Sequence, residues 1–306
     1  MTIQNHKIPY VFLTSHAYSG STLSSFLLGT HPEIATVGEL KGPAYHLDLA
    51  SYRCSCGNLF QECPFWLRVT DVVNRHGLNY ALNQYLETSF ELGGSNLARR
   101  LRTKSLRNNG LEHLRDSLVT AFWPGHRQAM KERLRRNEVF AQAILEVSGK
   151  SVFLDATKDP MRIRYLRASD RFDFFVIHLV RDVRGVVRSI MTRRPEMTVK
   201  QATRHWLQCE QNIKRHLAEV PAERQLFVRY EDLASDTLVT LNKIFSFLGL
   251  PHMQDLSNYR QVEYHIMGNK MRKLNNTEIR KDERWRTYFS ESQLRTIHKL
   301  VNSGSN

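Results

Sequence analysis

Several residues with hydroxyl side chains lie in one short segment near the start of the chain. Ser19, Ser21 and Thr22 flank Gly20, shortly after the apolar run 11–13, and the apolar residues that follow recur at helical spacing. This order predicts a strand, a tight loop and a helix N-terminus, where loop N–H groups and the helix dipole bind anions. We predict that the loop binds a phosphate, with Gly20 letting the backbone approach it closely.

The loop differs from that of nucleoside-triphosphate kinases. Their phosphate loop reads Gly-x-x-x-x-Gly-Lys-Ser/Thr, and its lysine reaches the β- and γ-phosphates. In this chain Ser15 stands where the first glycine would be, and no lysine precedes Ser21. A kinase is therefore disfavoured, and the remaining alternative to a phosphate loop is a Ser/Gly turn that only caps a core helix.

A second strand-to-helix junction lies far along the chain. Arg181 follows the apolar run 174–177, and Ser189 comes eight residues later, about two helical turns on. Both side chains could contact one phosphate at the start of a helix. The alternative is an arginine in a surface loop and a serine that faces solvent.

Three further polar residues follow strand-like or helix-like segments. Lys158 comes after the apolar run 152–154, Tyr230 lies in a Tyr-Glu-Asp-Leu segment, and Glu39 follows the strand-like segment 34–37. A basic segment near the C-terminus contains Lys270 and Arg272.

Taken together, these motifs resemble sulfotransferases that use 3′-phosphoadenosine-5′-phosphosulfate (PAPS) as donor. The spacing of His31-Pro32-Glu33 and Gly38-Glu39 is most similar to that of tyrosylprotein and bacterial sulfotransferases. The resemblance implies one α/β domain over residues 1–306, with a central parallel sheet flanked by helices, of the P-loop sulfotransferase type. Residues 41–148 match no shared motif and are predicted to be a helical insertion that binds the acceptor and forms a lid.

The resemblance also implies residue roles in an in-line transfer of SO₃ to an acceptor hydroxyl, or alternatively an amine. Lys158 lies close to the sulfuryl group, and Glu39 is the general base, with His16 as the alternative base because of its ordinary pKa. No metal is expected. The residues expected to bind the donor are Tyr18, Ser19, Gly20, Ser21, Thr22, Leu23, Arg181, Ser189, Tyr230, Lys270 and Arg272.

One position departs from the family pattern. These families have a lysine or arginine just before the Ser-Gly of the first loop, and this chain has Tyr18. A tyrosine donates one hydrogen bond but carries no charge at neutral pH. The departure leaves a protein that binds PAPS without transferring its sulfuryl group as an alternative function.

Composition limits the class of protein and its partners. The chain has 306 residues, 41% of them hydrophobic, and a formal net charge of +14. A positive field would steer a polyanionic donor to the site. No stretch approaches the ~20 apolar residues of a membrane helix, and the first strand begins too early to leave room for a signal peptide. We therefore predict a cytoplasmic enzyme that acts on a small molecule, such as a secondary metabolite, and that binds neither nucleic acid nor a membrane.

Three of the four cysteines lie close together in the sequence. Cys54, Cys56 and Cys63 could form part of a zinc site, but a tetrahedral site needs a fourth ligand. His46 or the distant Cys209 could supply it only if the fold brought them near. Reduced thiols are the expectation for a cytoplasmic protein, and Cys63 could form a disulfide with Cys54 or Cys56 under oxidising conditions.

Apolar periodicity predicts the secondary-structure elements. Four strands are expected near residues 9–15, 151–156, 174–180 and 225–230, and helices over 61–90, 126–148 and 201–217.

Overall fold

Five parallel strands form one sheet that carries the helices on its two faces. The computed structural model describes residues 7–43, 47–92, 106, 108–123, 125–256, 262, 264–268, 279 and 281–304. The strands are β1 (Ile8–Ser15), β2 (Ile34–Thr36), β3 (Val152–Asp155), β4 (Phe172–Val180) and β5 (Gln225–Arg229). The α-helices within the described residues are α1 (Ser21–Gly29), α2 (Pro64–Arg75), α3 (Asn109–Phe122), α4 (His126–Ser148), α5 (Met161–Arg167), α6 (Val183–Arg193), α7 (Val199–Leu217), α8 (Tyr230–Ser235), α9 (Thr237–Phe247) and α10 (Glu291–Gly304). Of the helices in this described part of the chain, none has both the length and the apolar character to span a bilayer.

The sheet order is β2-β3-β1-β4-β5, and all four pairings are parallel. The chain leaves β1 towards β2 on one side and leaves β4 towards β5 on the other. The connections after β1 and β4 run in opposite directions, which leaves a crevice between the ends of these neighbouring strands. Open α/β sheets bind ligands in such a crevice. The predicted α/β fold with a parallel sheet is confirmed, and the two predicted phosphate loops follow the two central strands β1 and β4.

Side chains of β1 alternate between two hydrophobic clusters. Tyr10 and Phe12 are fully buried in one cluster, and Val11 and Leu13 are buried in the other. A parallel strand covered on both faces reads as a continuous apolar run rather than an alternating one. The strand predictions were correct to within about two residues, and for β1 and β3 burial on both faces is the reason.

The predicted helix over residues 61–90 is wrong beyond residue 75. The chain turns at Gly77, whose φ is 77°. The Asn74 amide then accepts from the N–H of Tyr80 and donates to its carbonyl, in the manner of a backbone turn. Leu86 and Phe90 are buried without regular structure. Their spacing reflects contact with the core rather than a helical face.

A buried network of charges joins the elements on one face of the sheet. Arg162 on α5 donates through Nη2 to Asp155 Oδ2 at 2.7 Å, and neither side chain is more than 1% exposed. Tyr10 also donates to Asp155, Asn137 on α4 accepts from Arg162, and the carbonyl of Thr88 accepts from Arg162 Nη1. The irregular segment after α2 is thereby attached to the end of β3.

Candidate active site

The loop between β1 and α1 has an unusual backbone. Tyr18 and Gly20 both lie in the left-handed region, with φ of 69° and 90°. A Cβ atom on Gly20 would lie 2.5 Å from the ring of Tyr230. Glycine is therefore required by conformation and by contact, and the first predicted loop is packed against the Tyr-Glu-Asp-Leu segment.

Two hydroxyl groups of this loop lack partners within the described residues. Ser15 Oγ and Ser19 Oγ are buried and make no hydrogen bond there. A buried polar atom without a partner costs about 1–3 kcal/mol. Next to them, the first N–H groups of α1 have no carbonyl partner within the helix. This donor set fits a phosphate, and Ser15 is a binding candidate that the sequence did not identify.

The other predicted loop residues have ordinary structural positions. Ser21 begins α1, and its carbonyl accepts from Ser25 Oγ. Thr22 is half-buried, and Leu23 packs in the second hydrophobic cluster. The backbone N–H groups of these residues, rather than the leucine side chain, are suited to an anion.

Arg181 joins the two predicted phosphate loops. Its Nη1 donates to the carbonyl of Tyr18 and its Nη2 to Asp282 Oδ2, both at 2.9 Å. Its guanidinium carbon lies 4.7 Å from the centre of the Tyr230 ring. Arg284 and then Arg181 hold the pKa of the Asp282 carboxyl well below its usual range. Arg181 therefore already has a carboxylate as partner, and Asp282 is a neighbour that sequence reasoning missed.

Gly185 lies between Arg181 and Ser189. A Cβ atom on Gly185 would be 2.9 Å from Arg181 Nε, and Ser189 Oγ donates to the Gly185 carbonyl at 2.9 Å. Gly185 and Ser189 are four residues apart and share one face of α6. Arg181 thus covers the first turn of the face that carries Ser189.

Glu39 and Lys158 form an ion pair between the ends of β2 and β3. Lys158 Nζ lies 2.5 Å from Glu39 Oε1, and Lys41 Nζ lies 3.5 Å from Glu39 Oε2. The side chains of Glu39 and Lys158 are 14% and 19% exposed. Lys158 has a φ of 70°, an uncommon conformation for a residue with a side chain. The structure thus brings together the predicted base and the predicted cation.

Asp155 holds the backbone beside this pair. Its Oδ1 accepts from the N–H of Leu40 at 3.1 Å and from the N–H of Thr157 at 3.0 Å. One carboxylate at the end of β3 therefore fixes the residue after Glu39 and the residue before Lys158.

A segment from the C-terminal part of the chain packs against Glu39. Met267 N–H donates to the carbonyl of Val37 at 2.7 Å, and Met267 pairs with Gly38 as in a parallel sheet. A Cβ atom on Gly268 would lie 3.0 Å from the Glu39 carboxylate. This segment therefore forms one wall around the predicted base.

His16 is occupied by two hydrogen bonds. Its Nδ1 donates to the carbonyl of Ala17 at 2.6 Å, so its Nε2 accepts from His205 Nδ1 at 3.2 Å. Burial lowers the pKa of His16 below its ordinary value, which favours the neutral ring. The Nε2 lone pair that a general base would use thus already has a donor, and His205 is a partner that the sequence did not reveal.

Tyr18 stands beside a cation despite the departure from the family pattern. The guanidinium carbon of Arg193 lies 5.3 Å from the centre of the Tyr18 ring. Two other predicted donor-binding residues, Lys270 and Arg272, lie outside the described residues, as does His46.

Comparison with known proteins gave a family match and similar folds. Residues 9–255 match the model of the sulfotransferase family. A comparison with curated protein sequences found no match. The sulfotransferase domain from the curacin biosynthetic pathway is 18% identical, with 97% of this chain and 99% of that chain covered and a TM-score of 0.50.

Two further structures have lower TM-scores. The sulfotransferase domain from the Synechococcus PCC 7002 olefin synthase is 20% identical, with 97% of each chain covered and a TM-score of 0.45. Mouse sulfotransferase SULT7A1 complexed with PAP is 11% identical, with 97% of this chain and 84% of that chain covered and a TM-score of 0.44. The family match spans most of the chain and contains the first loop, Glu39, Lys158 and Arg181. The chain therefore belongs to the sulfotransferase family.

Proposed function

We propose that this sulfotransferase transfers SO₃ from PAPS to a hydroxyl group of a small-molecule acceptor and releases adenosine 3′,5′-bisphosphate (PAP). The observation that carries the proposal is the Glu39–Lys158 pair, with Nζ and Oε1 2.5 Å apart. It lies at the same sheet edge as the first loop, where two buried hydroxyls make no hydrogen bond within the described part of the chain. A carboxylate, a cation and a set of anion donors are the groups that sulfuryl transfer requires.

The proposed reaction is an in-line displacement at sulfur. Glu39 takes the proton of the acceptor hydroxyl as its oxygen forms a bond to sulfur. The bond between sulfur and the bridging oxygen breaks, and its electron pair stays on the 5′-phosphate of PAP. Lys158 stabilises the negative charge that grows on that oxygen, and Ser15, Ser19 and the first N–H groups of α1 bind the phosphate.

The 3′-phosphate is assigned to Arg181 and Ser189. Arg181 is buried, which strengthens a charge-assisted hydrogen bond, and it lies over the helix face that carries Ser189. The ring of Tyr230 between Gly20 and Arg181 is suited to hold the nucleotide. The roles of Lys270 and Arg272 stay predictions from the sequence.

Arg193 offers a physical answer to the missing cation at position 18. Its guanidinium lies over the Tyr18 ring and places a positive charge beside the first loop. This contact favours catalysis over the alternative of a protein that binds PAPS without transfer. A hydroxylated secondary metabolite as acceptor, an amine as the alternative acceptor, and the cytoplasmic location stay predictions.

The proposal is tested by transfer of ³⁵S from labelled PAPS into a metabolite extract, with mass spectrometry of the labelled product. We expect a labelled small molecule with the wild-type chain and none with Glu39→Gln. Tight PAP binding without any labelled product would favour the non-catalytic alternative. Thermal stabilisation by ATP with Mg²⁺ but not by PAP would instead support a kinase.

A further inference from the structure

Three cysteines and one histidine meet at a point that has no role in the proposed reaction. They are Cys54, Cys56, Cys63 and His265, and their sulfur and nitrogen atoms all lie within 4.8 Å of one another. Cys63 Sγ lies 3.6 Å from Cys56 Sγ and 3.4 Å from His265 Nδ1, and Cys54 Sγ lies 3.7 Å from the same nitrogen.

One sulfur–sulfur and two sulfur–nitrogen distances in this cluster are close to the edges of a tetrahedron around zinc. Zn–S bonds of about 2.3 Å and Zn–N bonds of about 2.0–2.1 Å place the sulfurs about 3.8 Å apart and each sulfur about 3.5 Å from the nitrogen. The observed separations differ from these values by a few tenths of an ångström. A disulfide would require about 2.05 Å between two sulfurs, and all the cysteines are free thiols.

The four residues lie in a partly to fully buried setting. Cys54 and Cys63 are 1% and 0% exposed, and the other two are half-buried. The ring of Phe65 stacks on His265 with centres 4.3 Å apart and planes 2° apart. Four protein ligands in a closed setting are typical of structural zinc, whereas a catalytic site keeps one position open.

Backbone hydrogen bonds position the cysteines independently of the contacts between their sulfur atoms. Cys54 N–H donates to the carbonyl of Asn58, and the Cys54 carbonyl accepts from Gly57, so residues 54–58 form a tight turn. Gly57 has a φ of 96°, which only glycine adopts readily. Cys63 comes directly before Pro64, the first residue of α2. A turn and a helix N-terminus therefore fix the backbone at Cys54 and Cys63.

Ser55 holds the histidine in place from both sides. Its Oγ donates to the carbonyl of Tyr264 at 2.5 Å and accepts from the N–H of Ile266 at 2.7 Å. These hydrogen bonds fix the backbone on each side of His265. The histidine is thus oriented by neighbours outside the four-residue cluster.

We propose that Cys54, Cys56, Cys63 and His265 bind one structural Zn²⁺ ion. The three sulfurs bind as thiolates, releasing their protons to solvent, and the neutral histidine binds through Nδ1. The sequence led us to expect no metal because a fourth ligand was sought at His46 or Cys209. His265 lies 202 residues beyond Cys63, so no spacing in the sequence near the cysteines indicates it as the fourth ligand.

The zinc ion would connect two distant segments beside the active site. His265 is two residues before Met267, which pairs with Gly38, and three before Gly268, which contacts Glu39. A metal that closes so long a loop removes much conformational freedom from the unfolded chain. Zinc at this cluster would therefore stabilise the fold and hold the wall against which Glu39 packs.

The first test uses the wild-type chain, purified in the presence of a thiol reductant. Elemental analysis by mass spectrometry is expected to find about one zinc ion per chain. After chelation and addition of Co²⁺, we expect the visible bands of tetrahedral cobalt and a thiolate-to-cobalt band in the near ultraviolet. A chain that contains no zinc when zinc is supplied, and that gives no such spectrum with Co²⁺, would overturn the proposal.

The second test compares ligands with matched controls. Cys56→Ser and His265→Ala should each lower zinc affinity at least tenfold, and chelation should lower the melting temperature of the wild type more than that of these variants. Cys209→Ser and His252→Ala remove the same residue types outside the cluster and should retain zinc.

Equal zinc loss in the controls, or a Cys56–Cys63 disulfide in protein kept under reductant, would contradict the proposal. The wild-type measurements decide the matter if a ligand variant fails to fold.

Discussion

Glu39 and Lys158 form an ion pair, so the position of each side chain depends on the other. In the pair, Lys158 Nζ lies against Glu39 Oε1, so each side chain holds the other in place. An acceptor hydroxyl that enters beside Glu39 would give its proton to a carboxylate already fixed by Lys158 and Lys41. The pair therefore has the geometry of a base and a stabilising cation held ready in one place.

Glu39→Gln keeps the shape of the side chain and removes the proposed base. We expect kcat to fall by about 10²–10⁴-fold, because this is what a general base contributes. PAP affinity, measured by calorimetry, should change little. Glu223→Gln, at an exposed position, is the control and should leave kcat unchanged. If Glu39→Gln stays active while His16→Ala binds PAP and is inactive, the base is His16.

Arg181→Ala removes the buried guanidinium assigned to the 3′-phosphate. A charge-assisted hydrogen bond contributes about 1.5–3 kcal/mol, so PAP binding should weaken about 10- to 100-fold. Adenosine 5′-phosphate lacks the 3′-phosphate, and its affinity should fall much less. Arg68→Ala, at an exposed position on α2, should affect neither ligand. Equal losses for both ligands in calorimetry would remove Arg181 from this role.

Sequence reasoning placed candidate residues at the ends of strands, where the structure has them, and missed their partners. Lys158 comes three residues after the end of β3 and Arg181 directly after β4, so their place at the sheet edge was predictable. His205 and Asp282 reach the site from segments whose local pattern carries no such signal. Their contacts depend on packing between distant parts of the chain, which periodicity does not describe.

At the scale of elements, the junction of β1 and α1 depends on Gly20. Alanine there would be strained at a φ of 90° and would place its Cβ 2.5 Å from the Tyr230 ring. We expect Gly20→Ala to weaken PAP binding at least tenfold, because either the loop or Tyr230 must move. The measurement is calorimetric titration with PAP, together with a melting curve.

Gly149→Ala is the matched control for this element. Gly149 also has a positive φ, of 65°, but a Cβ atom there would meet nothing within 4 Å. This variant should lose about 1 kcal/mol of stability from backbone strain and bind PAP as the wild type does. If both variants lose PAP affinity alike, general destabilisation rather than the Tyr230 contact explains the effect.

The elements themselves were predictable to different degrees. Strands buried on both faces have continuous apolar runs, and long helices such as α4 have clear periodicity. The segment 78–92 also has spaced apolar residues, but Asn74 and Gly77 end α2 before it. Spaced apolar residues indicate burial rather than a helix. Here the Asn74 side chain forms a turn, and the residues after it are buried without helical structure.

At the scale of the whole molecule, the Asp155–Arg162 pair links the fold to the site. Arg162 connects α5 to Asn137 on α4 and to the segment at Thr88, and Asp155 fixes the backbone beside Glu39 and Lys158. The same carboxylate thus serves the packing of the helical region and the geometry of the proposed reaction. We infer that disruption of the pair affects both stability and turnover.

Arg162→Met leaves the Asp155 carboxylate buried without its cation. We expect the free energy of unfolding in urea to fall by about 3–5 kcal/mol, the usual cost of breaking a buried pair from one side. The double variant Asp155→Asn/Arg162→Met should be more stable than Arg162→Met, since no buried charge is left unpaired. Its asparagine oxygen can still accept from Leu40 and Thr157, so turnover should recover with stability.

The control is the exposed pair Arg224–Asp173, in which each side chain is about 40% accessible. Loss of this pair should lower the free energy of unfolding by less than about 1 kcal/mol. Additive losses in the double variant would show that Arg162 and Asp155 act independently, and the link between fold and site would then be wrong.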